Sequence, residues 1–375
     1  MKWEKVKLED VSTIIAGQSP ESKYYNQTGQ GLPFFQGKAD FGLETPNVRY
    51  WCTEPTKIAH PLDILLSVRA PVGPTNICNI ESCIGRGLAA VRVGKKLNYR
   101  YLYWWFKSFE KQLSSMGNGS TFSAITTKVV KDLEVPLPPL HIQEQIAETL
   151  DKADALYRKD QDLLDKYEEL AKAFFYEMFG DPIRNEKGWK KYKLGDLCNI
   201  KRGASPRPID KFIGNDVPWI KIGDATKGDD MFITKTKVRI TTEGSKKSIL
   251  IKPDDLIFAN CGVSLGFARI SKITGCIHDG WLALEIKDTK ILNQVYLLKL
   301  INGLTNYLRG LAPEGTQPNL NIGIMKELEI IVPPIVLQQK YSGINEQFYF
   351  SKRNLELALM KSNTLFNTLS HKSFS

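Results

Sequence analysis

Residues 3–20 read WEKVKLEDVSTIIAGQSP, and residues 189–206 repeat them as WKKYKLGDLCNIKRGASP. The two stretches align without a gap at a distance of 186 positions, with Trp, Lys, Leu, Asp, Ile, Gly, Ser and Pro kept in place. A self-similarity of this length indicates a duplicated structural unit, and it decides the architecture before any single element is assigned.

The similarity continues along both copies. The matched pairs are Leu32–Phe35 with Val217–Ile220, Asp63–Leu66 with Asp255–Phe258, Cys83-Ile84-x-x-Gly87 with Cys276-Ile277-x-x-Gly280, and Lys131–Pro139 with Lys326–Pro334. The distance grows from 186 to 195 positions, so the second copy carries small loop insertions.

Each copy begins with short apolar runs broken by Gly, Pro and Asn, which is typical of strands in a β-rich fold. A helix is expected near Tyr99–Leu113 and again near Val295–Leu308, followed by a strand at Leu133–Leu137 or Leu328–Val332 that ends at a double proline. The first of these helices carries an aromatic cluster: Tyr99, Tyr101, Tyr103, Trp104, Trp105 and Phe106. Because the matching positions are Leu297–Ile301, core packing is favoured over base stacking.

After each double proline, apolar residues recur at steps of four and three, which predicts two long helices with a heptad seam. We expect these helices to pair with each other in an antiparallel coiled coil; the alternative is that each packs on its own domain. The predicted seam residues are Ile142, Ile146, Leu156, Leu163, Leu170, Leu337, Tyr341, Ile344, Leu355 and Leu365.

The expected fold is α/β (α+β), with an internal pseudo-twofold repeat. Two β-rich heads with short helices, residues 1–140 and 181–336, alternate with two spacer helices, residues 141–180 and 337–375. These segments are called the first head, the second head and the two spacer helices below. At about 1.5 Å per residue, 38 helical residues would span roughly 57 Å.

Composition is that of a globular protein, with 42% hydrophobic and 25% charged residues. No window approaches the roughly 18 apolar residues of a membrane span, and no export signal follows Met1, so we expect a cytoplasmic protein without a membrane partner. The six cysteines lack metal-ligand spacing, so we expect reduced, buried thiols and no metal site.

Charge is unevenly distributed along the chain, whose formal net charge is +10. The first and second heads carry +5 and +7, while residues 141–180 carry −5. Cationic heads favour a polyanionic partner, and an acidic helix would repel phosphate. This division favours heads that bind DNA and a first spacer helix that binds protein.

The chain resembles the specificity subunits of type I restriction-modification systems. The resemblance is carried by Pro-Pro-Leu-x-x-Gln-x-Gln at 138–145, by Phe-Gly-Asp-Pro-Ile-Arg-Asn-x-x-Gly-Trp at 179–189, and by the order head, helix, head, helix. It implies two target recognition domains, each reading half of a bipartite site in double-stranded DNA. It also implies helices that dock two methyltransferase (modification) subunits, with restriction subunits in the full complex. The second copy departs from the motif, with Gln338-Gln339-Lys340 in place of Gln143-Glu144-Gln145.

No catalysis is expected from the chain itself. S-adenosylmethionine, ATP and Mg²⁺ would be bound by the partner subunits, and none by this chain. Asp254, Glu285 and Lys287 fit a loose Mg²⁺-dependent nuclease pattern, but Arg92 and Gly94 stand at the positions in the first copy that match Glu285 and Lys287. A salt-bridging role at a strand edge is therefore favoured. A scaffold whose duplicated heads bind acidic proteins is the other alternative.

Candidate DNA-contacting residues are polar groups on loops that differ between the copies, because bases are read by Arg, Lys, Asn and Gln while phosphates accept from any donor. In the first head they are Gln18, Ser19, Gln36, Lys38, Arg69, Arg86, Asn118, Ser120 and Thr121. In the second head they are Lys201, Arg202, Ser205, Arg207, Lys221, Asn260, Thr316, Gln317 and Asn319.

Overall fold

The computed structural model describes residues 3–116, 124–226, 230–262, 264–312 and 319–374. The chain divides into two compact units, one made of Met1–Leu163 with Leu355–Ser375 and the other of Leu164–Asn354. Each unit contains one head and about half of each spacer helix.

The described part of the first head contains a four-stranded and a five-stranded sheet. The four-stranded sheet is antiparallel, in the order Ser12–Ala16, Leu88–Val93, Ile64–Ser67, Thr75–Ile77. The other sheet has the order Tyr25–Asn26, Trp51–Cys52, Leu32–Phe35, Ser82–Ile84, Ile58–Ala59, with Leu32–Phe35 and Ser82–Ile84 parallel. The α-helices of this head are Leu8–Val11, Tyr99–Met116 and Thr127–Lys131.

The described part of the second head contains two five-stranded sheets. One has the order Cys198–Arg202, Trp281–Ile286, Leu256–Ala259, Ala268–Ser271, Phe232–Ile233. The other has the order Ile213–Gly214, Val238–Ile240, Val217–Ile220, Gly275–Ile277, Ile249–Ile251. Its α-helices are Leu194–Leu197, Thr242–Ser245, Gln294–Gly303, Thr305–Leu311 and Ile322–Glu327.

A short antiparallel ladder closes each head. Lys5–Lys7 pairs with Glu134–Pro136, and Lys191–Lys193 pairs with Glu329–Ile331. Each ladder is tied to the helical layer by a buried tyrosine. The Tyr101 hydroxyl donates to the Pro136 carbonyl at 2.9 Å, and the Tyr296 hydroxyl donates to the Ile331 carbonyl at the same distance. The duplication in the sequence is therefore a duplication of tertiary contacts.

A buried glutamine joins each head to its spacer helix. The amide nitrogen of Gln143, a fully buried residue, donates to the carbonyls of Pro138 and Lys96, and its amide oxygen accepts from the Asn98 backbone N–H at 2.8 Å. Gln338, equally buried, bonds in the same way to Pro333, Ile291 and Asn293. The glutamine of the Pro-Pro-Leu-x-x-Gln motif is thus a structural clamp.

The aromatic cluster of the first head is buried, as expected, except for Tyr99, which is half-buried. Tyr101, Tyr103, Trp104, Trp105 and Phe106 are at most 3% exposed. The matching buried layer of the second head keeps one aromatic residue, Tyr296, and is otherwise aliphatic, with Leu297, Leu298, Leu300 and Ile301. The expected single helix is instead two, Gln294–Gly303 and Thr305–Leu311, separated at Leu304. The cysteines are free, and all of them are buried except Cys261, which is partly exposed.

The spacer helices span Leu140–Phe179 and Ile335–Phe374. In the unit Leu164–Asn354 they run antiparallel, since Phe174 lies 6.1 Å from Tyr341 and Tyr167 lies 5.3 Å from Phe348, measured between ring centroids. In the other unit both helices pack on the core of the first head, with Leu150 of one and Phe366 of the other in the same cluster. The expected antiparallel coiled coil is confirmed.

The seam differs from the heptad prediction in one of its two stripes. One predicted stripe in each helix is packed, and it contains Ile146 in the first helix and Tyr341 and Leu355 in the second. The other predicted stripe begins half-buried, at Ile142 in the first helix and at Leu337 and Ile344 in the second. By contrast, Leu156, Leu163, Leu170 and Leu365 are 44%, 41%, 55% and 46% exposed, so their assignment to the seam is corrected. The second packed stripe lies four residues after the stripe of Ile146 and Tyr341, at Leu150 and Asn345, and not three residues after it. In the second helix this stripe includes polar Asn345 and Lys352, which a count of apolar residues passes over.

Candidate nucleic-acid interface

Four loops of the first head meet around one depression. Its cavity volume is about 240 Å³, and its lining includes Ser19, Gln36, Lys38, Arg69 and Arg86. These five candidates are separated by up to 67 positions in the sequence, and the structure brings them together. We call them the first-head depression. Gln18 is an exposed neighbour on the same loop as Ser19.

Close backbone contacts hold these loops in place. The Gly17 N–H donates to the Leu88 carbonyl at 3.0 Å, and the Gly85 N–H donates to the Phe35 carbonyl at 2.8 Å. A Cβ on Gly17 would stand 2.2 Å from the Gly85 oxygen, and one on Gly87 would stand 2.3 Å from the Gln36 oxygen. Glycine is required at both positions because no side chain fits between the strands.

A buried carboxylate orders the loop that carries Gln36 and Lys38. Asp40, 1% exposed, accepts from the Gln36 N–H at 2.6 Å and from the Arg49 guanidinium at 2.6 Å. Its charge is therefore compensated inside the scaffold. The described residues that line the depression include Lys38, Arg69 and Arg86 but no carboxylate, so its surface is cationic.

The second head uses the same scaffold. The Lys221 N–H donates to Asp224 at 2.9 Å, as Gln36 does to Asp40, and a Cβ on Gly203 would stand 2.2 Å from the His278 oxygen. An isolated bridge joins Cys261 to Asn319, where Arg69 is joined to Ala124 in the first head. These contacts align Ser205 with Ser19, Cys261 with Arg69, and Asp279 with Arg86.

Asp279 is the centre of a polar cluster in the second head. Its carboxylate accepts from the Ser205 hydroxyl at 2.9 Å and lies 3.8 Å from the Arg207 guanidinium, while the Arg202 side chain donates to its backbone carbonyl at 3.0 Å. His278 Nε2 lies 2.9 Å from the same carboxylate. Three of the candidate residues, Arg202, Ser205 and Arg207, thus converge on Asp279.

His278 is held in its neutral form. The Gly280 N–H donates to Nδ1 at 2.9 Å, so Nε2 carries the proton and donates to Asp279. Burial lowers the pKa of His278, although the Asp279 charge acts in the opposite direction. Beside this cluster, Lys221 Nζ lies 4.5 Å from the centre of the Trp219 ring, a cation–π contact.

Several candidates lie elsewhere. Asn260 is fully buried and bonded to Asn319 at 3.0 Å, so its assignment as a DNA contact is corrected to a scaffold role. Lys201 lies on a strand and is 3.5 Å from Glu285. Asn118, Ser120, Thr121, Thr316 and Gln317 lie outside the described residues.

Sequence reasoning missed His278 and Asp279. The signal was present, because matching Cys83-Ile84-x-x-Gly87 with Cys276-Ile277-x-x-Gly280 sets Arg86 against Asp279. Selecting cations as the expected phosphate and guanine donors left an acidic counterpart out. A carboxylate on a DNA-facing loop has its own use, since it accepts from amino groups of bases.

The nuclease-like residues do not form a site. Asp254 is paired with Lys272 at 2.6 Å, Glu285 lies 3.5 Å from Lys201, and Lys287 donates to the Gly195 carbonyl at 2.7 Å. Within the described ranges, no group of three or more His, Cys, Asp or Glu side chains could hold a metal ion. The pairing of Glu285 with Lys201 agrees with the salt-bridging interpretation, but Glu285 lies on an inner strand and only Lys201 lies on the edge strand of that sheet.

None of the described helices is long and apolar enough to cross a membrane.

The family model for the type I restriction modification DNA specificity domain matches residues 1–165 and 186–358. The chain belongs to this family.

Two curated relatives carry corresponding names. The putative type I restriction enzyme MjaX specificity subunit of Methanocaldococcus jannaschii is 41% identical over 170 residues, or 44% of this chain and 40% of that relative. The MjaIX specificity subunit of the same organism is 24% identical over 388 residues, covering 92% of this chain and 87% of the relative. The chain thus spans less than half of the MjaX subunit and most of the MjaIX subunit.

Two solved structures share the fold. The S subunit of a type I restriction-modification system from M. genitalium superposes with a TM-score of 0.66 at 16% identity, over 100% of this chain and 96% of that chain. A chain from a study of assembly and conformational transition of the type I R-M system gives a TM-score of 0.64 at 19% identity, over 100% and 97%. At these identities the likeness concerns the fold alone.

Proposed function

We propose that this chain is the DNA-recognition subunit of a type I restriction-modification complex, in which each head reads one half of a bipartite site in double-stranded DNA. The observation that carries the proposal is the first-head depression, where one amide and three cations on three loops are exposed with no carboxylate among them. Arg and Lys donate to guanine and to phosphate, and Gln pairs with adenine, so this surface has the chemistry of base and backbone contact.

The two halves of the site would differ in sequence. The scaffold contacts of the heads correspond, whereas the side chains displayed at the matched positions do not. Mapping of methylated motifs in a host that carries this chain and its modification subunits should give a split motif. Replacing residues 181–336 with a second copy of residues 1–140 should give the same bases in both halves. A continuous motif, or a motif unaffected by the replacement, would contradict the proposal.

Binding to acidic proteins is the competing function for cationic heads. Binding of the full chain, alone and with its modification subunits, to random duplexes separates the two. DNA binding should weaken by roughly 0.9 log units per phosphate contact for each log unit of salt. Absence of duplex binding in both preparations would reject DNA recognition.

The spacer helices would dock two modification subunits, with restriction subunits joining for cleavage and with S-adenosylmethionine, ATP and Mg²⁺ bound by those partners. The exposed leucines support this role. In the unit that contains the first head, Leu156 and Leu163 are 44% and 41% exposed on the same side of an acidic helix. Exposed apolar side chains in one row are typical of a protein-binding surface.

Substitution of both leucines tests the docking surface. Leu156→Asp with Leu163→Asp should abolish copurification of modification subunits while leaving the thermal unfolding of the chain near its original temperature. Leu43→Asp is the matched control, because Leu43 is 73% exposed on the first head and lies outside the helices. Retained copurification in the double variant, or equal loss in the control, would count against docking at these leucines.

A further inference from the structure

The matched positions Arg86 and Asp279 give the two heads opposite charges at the same point of the scaffold. Arg86 follows Gly85, and the described lining of its depression contains no carboxylate to which it could donate. Asp279 follows His278, and Ser205, Arg207 and the His278 ring surround its carboxylate. A direct consequence is that the second head cannot present the purely cationic surface of the first.

The Asp279 carboxylate is fixed in orientation yet remains accessible. Its Oδ1 atom accepts from the Ser205 hydroxyl and from His278 Nε2, both at 2.9 Å, while Oδ2 faces Arg207. The side chain is 35% exposed, and a carboxylate has about four acceptor positions, so Oδ2 retains capacity for a further donor. Neutral His278 acts as a positioning residue for this carboxylate.

Arg207 supplies a donor beside this acceptor. Its guanidinium lies 3.8 Å from Oδ2, and its side chain is 82% exposed. In the major groove, a C·G pair places the cytosine N4 amino donor next to the guanine O6 and N7 acceptors. An A·T pair also has an amino donor, on adenine. The adenine N7 acceptor beside that amino group repels a carboxylate, and thymine offers an arginine only one oxygen, next to a methyl group.

We propose that Asp279 and Arg207 together read a C·G base pair in the half-site of the second head, Asp279 accepting from cytosine N4 and Arg207 donating to guanine. This inference rests on the proposed function and names the base chemistry of one head. It also assigns a specificity-determining role to Asp279.

Selection from a duplex library with two randomised blocks and variable spacers tests the inference, using the full chain alone and with its modification subunits. The wild type should enrich a C·G pair in one half of a split motif. Asp279→Asn and Arg207→Lys should each lower the preference at that same pair by about tenfold or more, with the other half unchanged. Since Arg207 is exposed, Arg207→Lys keeps the test valid if Asp279→Asn fails to fold.

Asp254→Asn is the matched control, since it removes an equal charge from the same head at a residue paired with Lys272, away from the cluster. It should leave both halves unchanged. The inference is overturned if folded Asp279→Asn keeps every preference of the wild type, if both halves lose specificity together, or if Arg207→Lys acts at a different base pair. If the wild type enriches no split motif, the proposed function itself fails and the inference with it.

Discussion

The first and second heads share the contacts that position their loops and differ in what those loops display. A Cβ added to Gly17 or to Gly203 would stand 2.2 Å from a backbone oxygen. Asp40 and Asp224 each accept from a backbone N–H earlier in the same loop, that of Gln36 and that of Lys221. Around this frame the first head displays Arg69 and Arg86 where the second has Cys261 and Asp279.

The difference teaches which positions of the duplicated unit are free to diverge. Glycines at backbone contacts and carboxylates that bond to backbone N–H groups cannot change without moving the loops. The loop side chains at the diverged positions, such as Arg69 and Arg86, are exposed to solvent, so their substitution alters the surface chemistry with little effect on the fold. The two heads therefore share one loop scaffold and differ in the side chains that the loops display.

The largest expected effect concerns the shared clamp. Gln143→Ala and Gln338→Ala should each lower the free energy of unfolding by about 3 kcal/mol, because each leaves a buried backbone N–H and two carbonyls without their partner. Urea denaturation of each variant measures the loss. A clearly smaller loss for Gln338→Ala would show that the clamp is not equivalent in the two heads.

Substitution of a contact glycine should have a somewhat smaller effect. Gly87→Ala places a Cβ 2.3 Å from the Gln36 oxygen, so the first-head depression must open at a cost of about 2 kcal/mol. Gly37→Ala, in the same depression, meets nothing within 4 Å and serves as the control. Thermal unfolding and the motif of the first half should change in Gly87→Ala alone; equal behaviour of the two variants would refute the requirement for glycine.

Removing the first-head cations should change binding without changing stability. Arg69→Ala with Arg86→Ala should weaken duplex binding by about tenfold or more and relax only the half-site of the first head. Lys95→Ala is the control, since exposed Lys95 lies beyond the opposite end of the strand Leu88–Val93. Library selection measures both; altered preferences in the other half-site would break the assignment of one half to each head.

The smallest expected effect is confined to the unit Leu164–Asn354. Lys352 is paired with Glu168 at 2.8 Å and Asp230 at 3.0 Å, whereas Tyr157 stands at the matching position 195 residues earlier. Lys352→Met should cost about 1 kcal/mol at neutral pH, because both carboxylates are more than two-fifths exposed and screened by solvent.

The pH dependence of this loss has a definite sign. Burial raises the pKa of Asp230, but Lys299 and Lys352 outweigh it and hold that pKa below its usual range. A lowered carboxyl pKa stabilises the fold above about pH 4 and ceases to do so as the pH falls through it. The difference between wild type and Lys352→Met, followed by urea denaturation, should therefore shrink in acid. A difference that grows below pH 4 would contradict the ion-pair account.

Much of the fold could be predicted because it depends on local pattern. The duplication, the two long helices and the buried aromatic layer of Tyr101 to Phe106 follow from periodicity and from comparing one copy with the other. The seam was harder, because apolar periodicity gives the spacing of a stripe, while the packed face also includes polar Asn345 and Lys352. The exposed row at Leu156 and Leu163 became visible only in the structure.

The candidate site shows the same limit. Sequence comparison selected the loop residues Ser19, Arg69 and Arg86, but it also selected Asn260, whose side chain is buried against Asn319. It passed over Asp279 because an acidic residue was not expected at a DNA-binding surface.

By itself the sequence determined that this protein is a duplicated unit with two cationic heads and two long helices, because repeats, charge and helical period are properties of residues close together in the chain. Only the tertiary structure decided which loops share a surface, since this depends on backbone hydrogen bonds between strands far apart in sequence. The pairing of Asp279 with Arg207, which gives the second head its own chemistry, arises from that convergence.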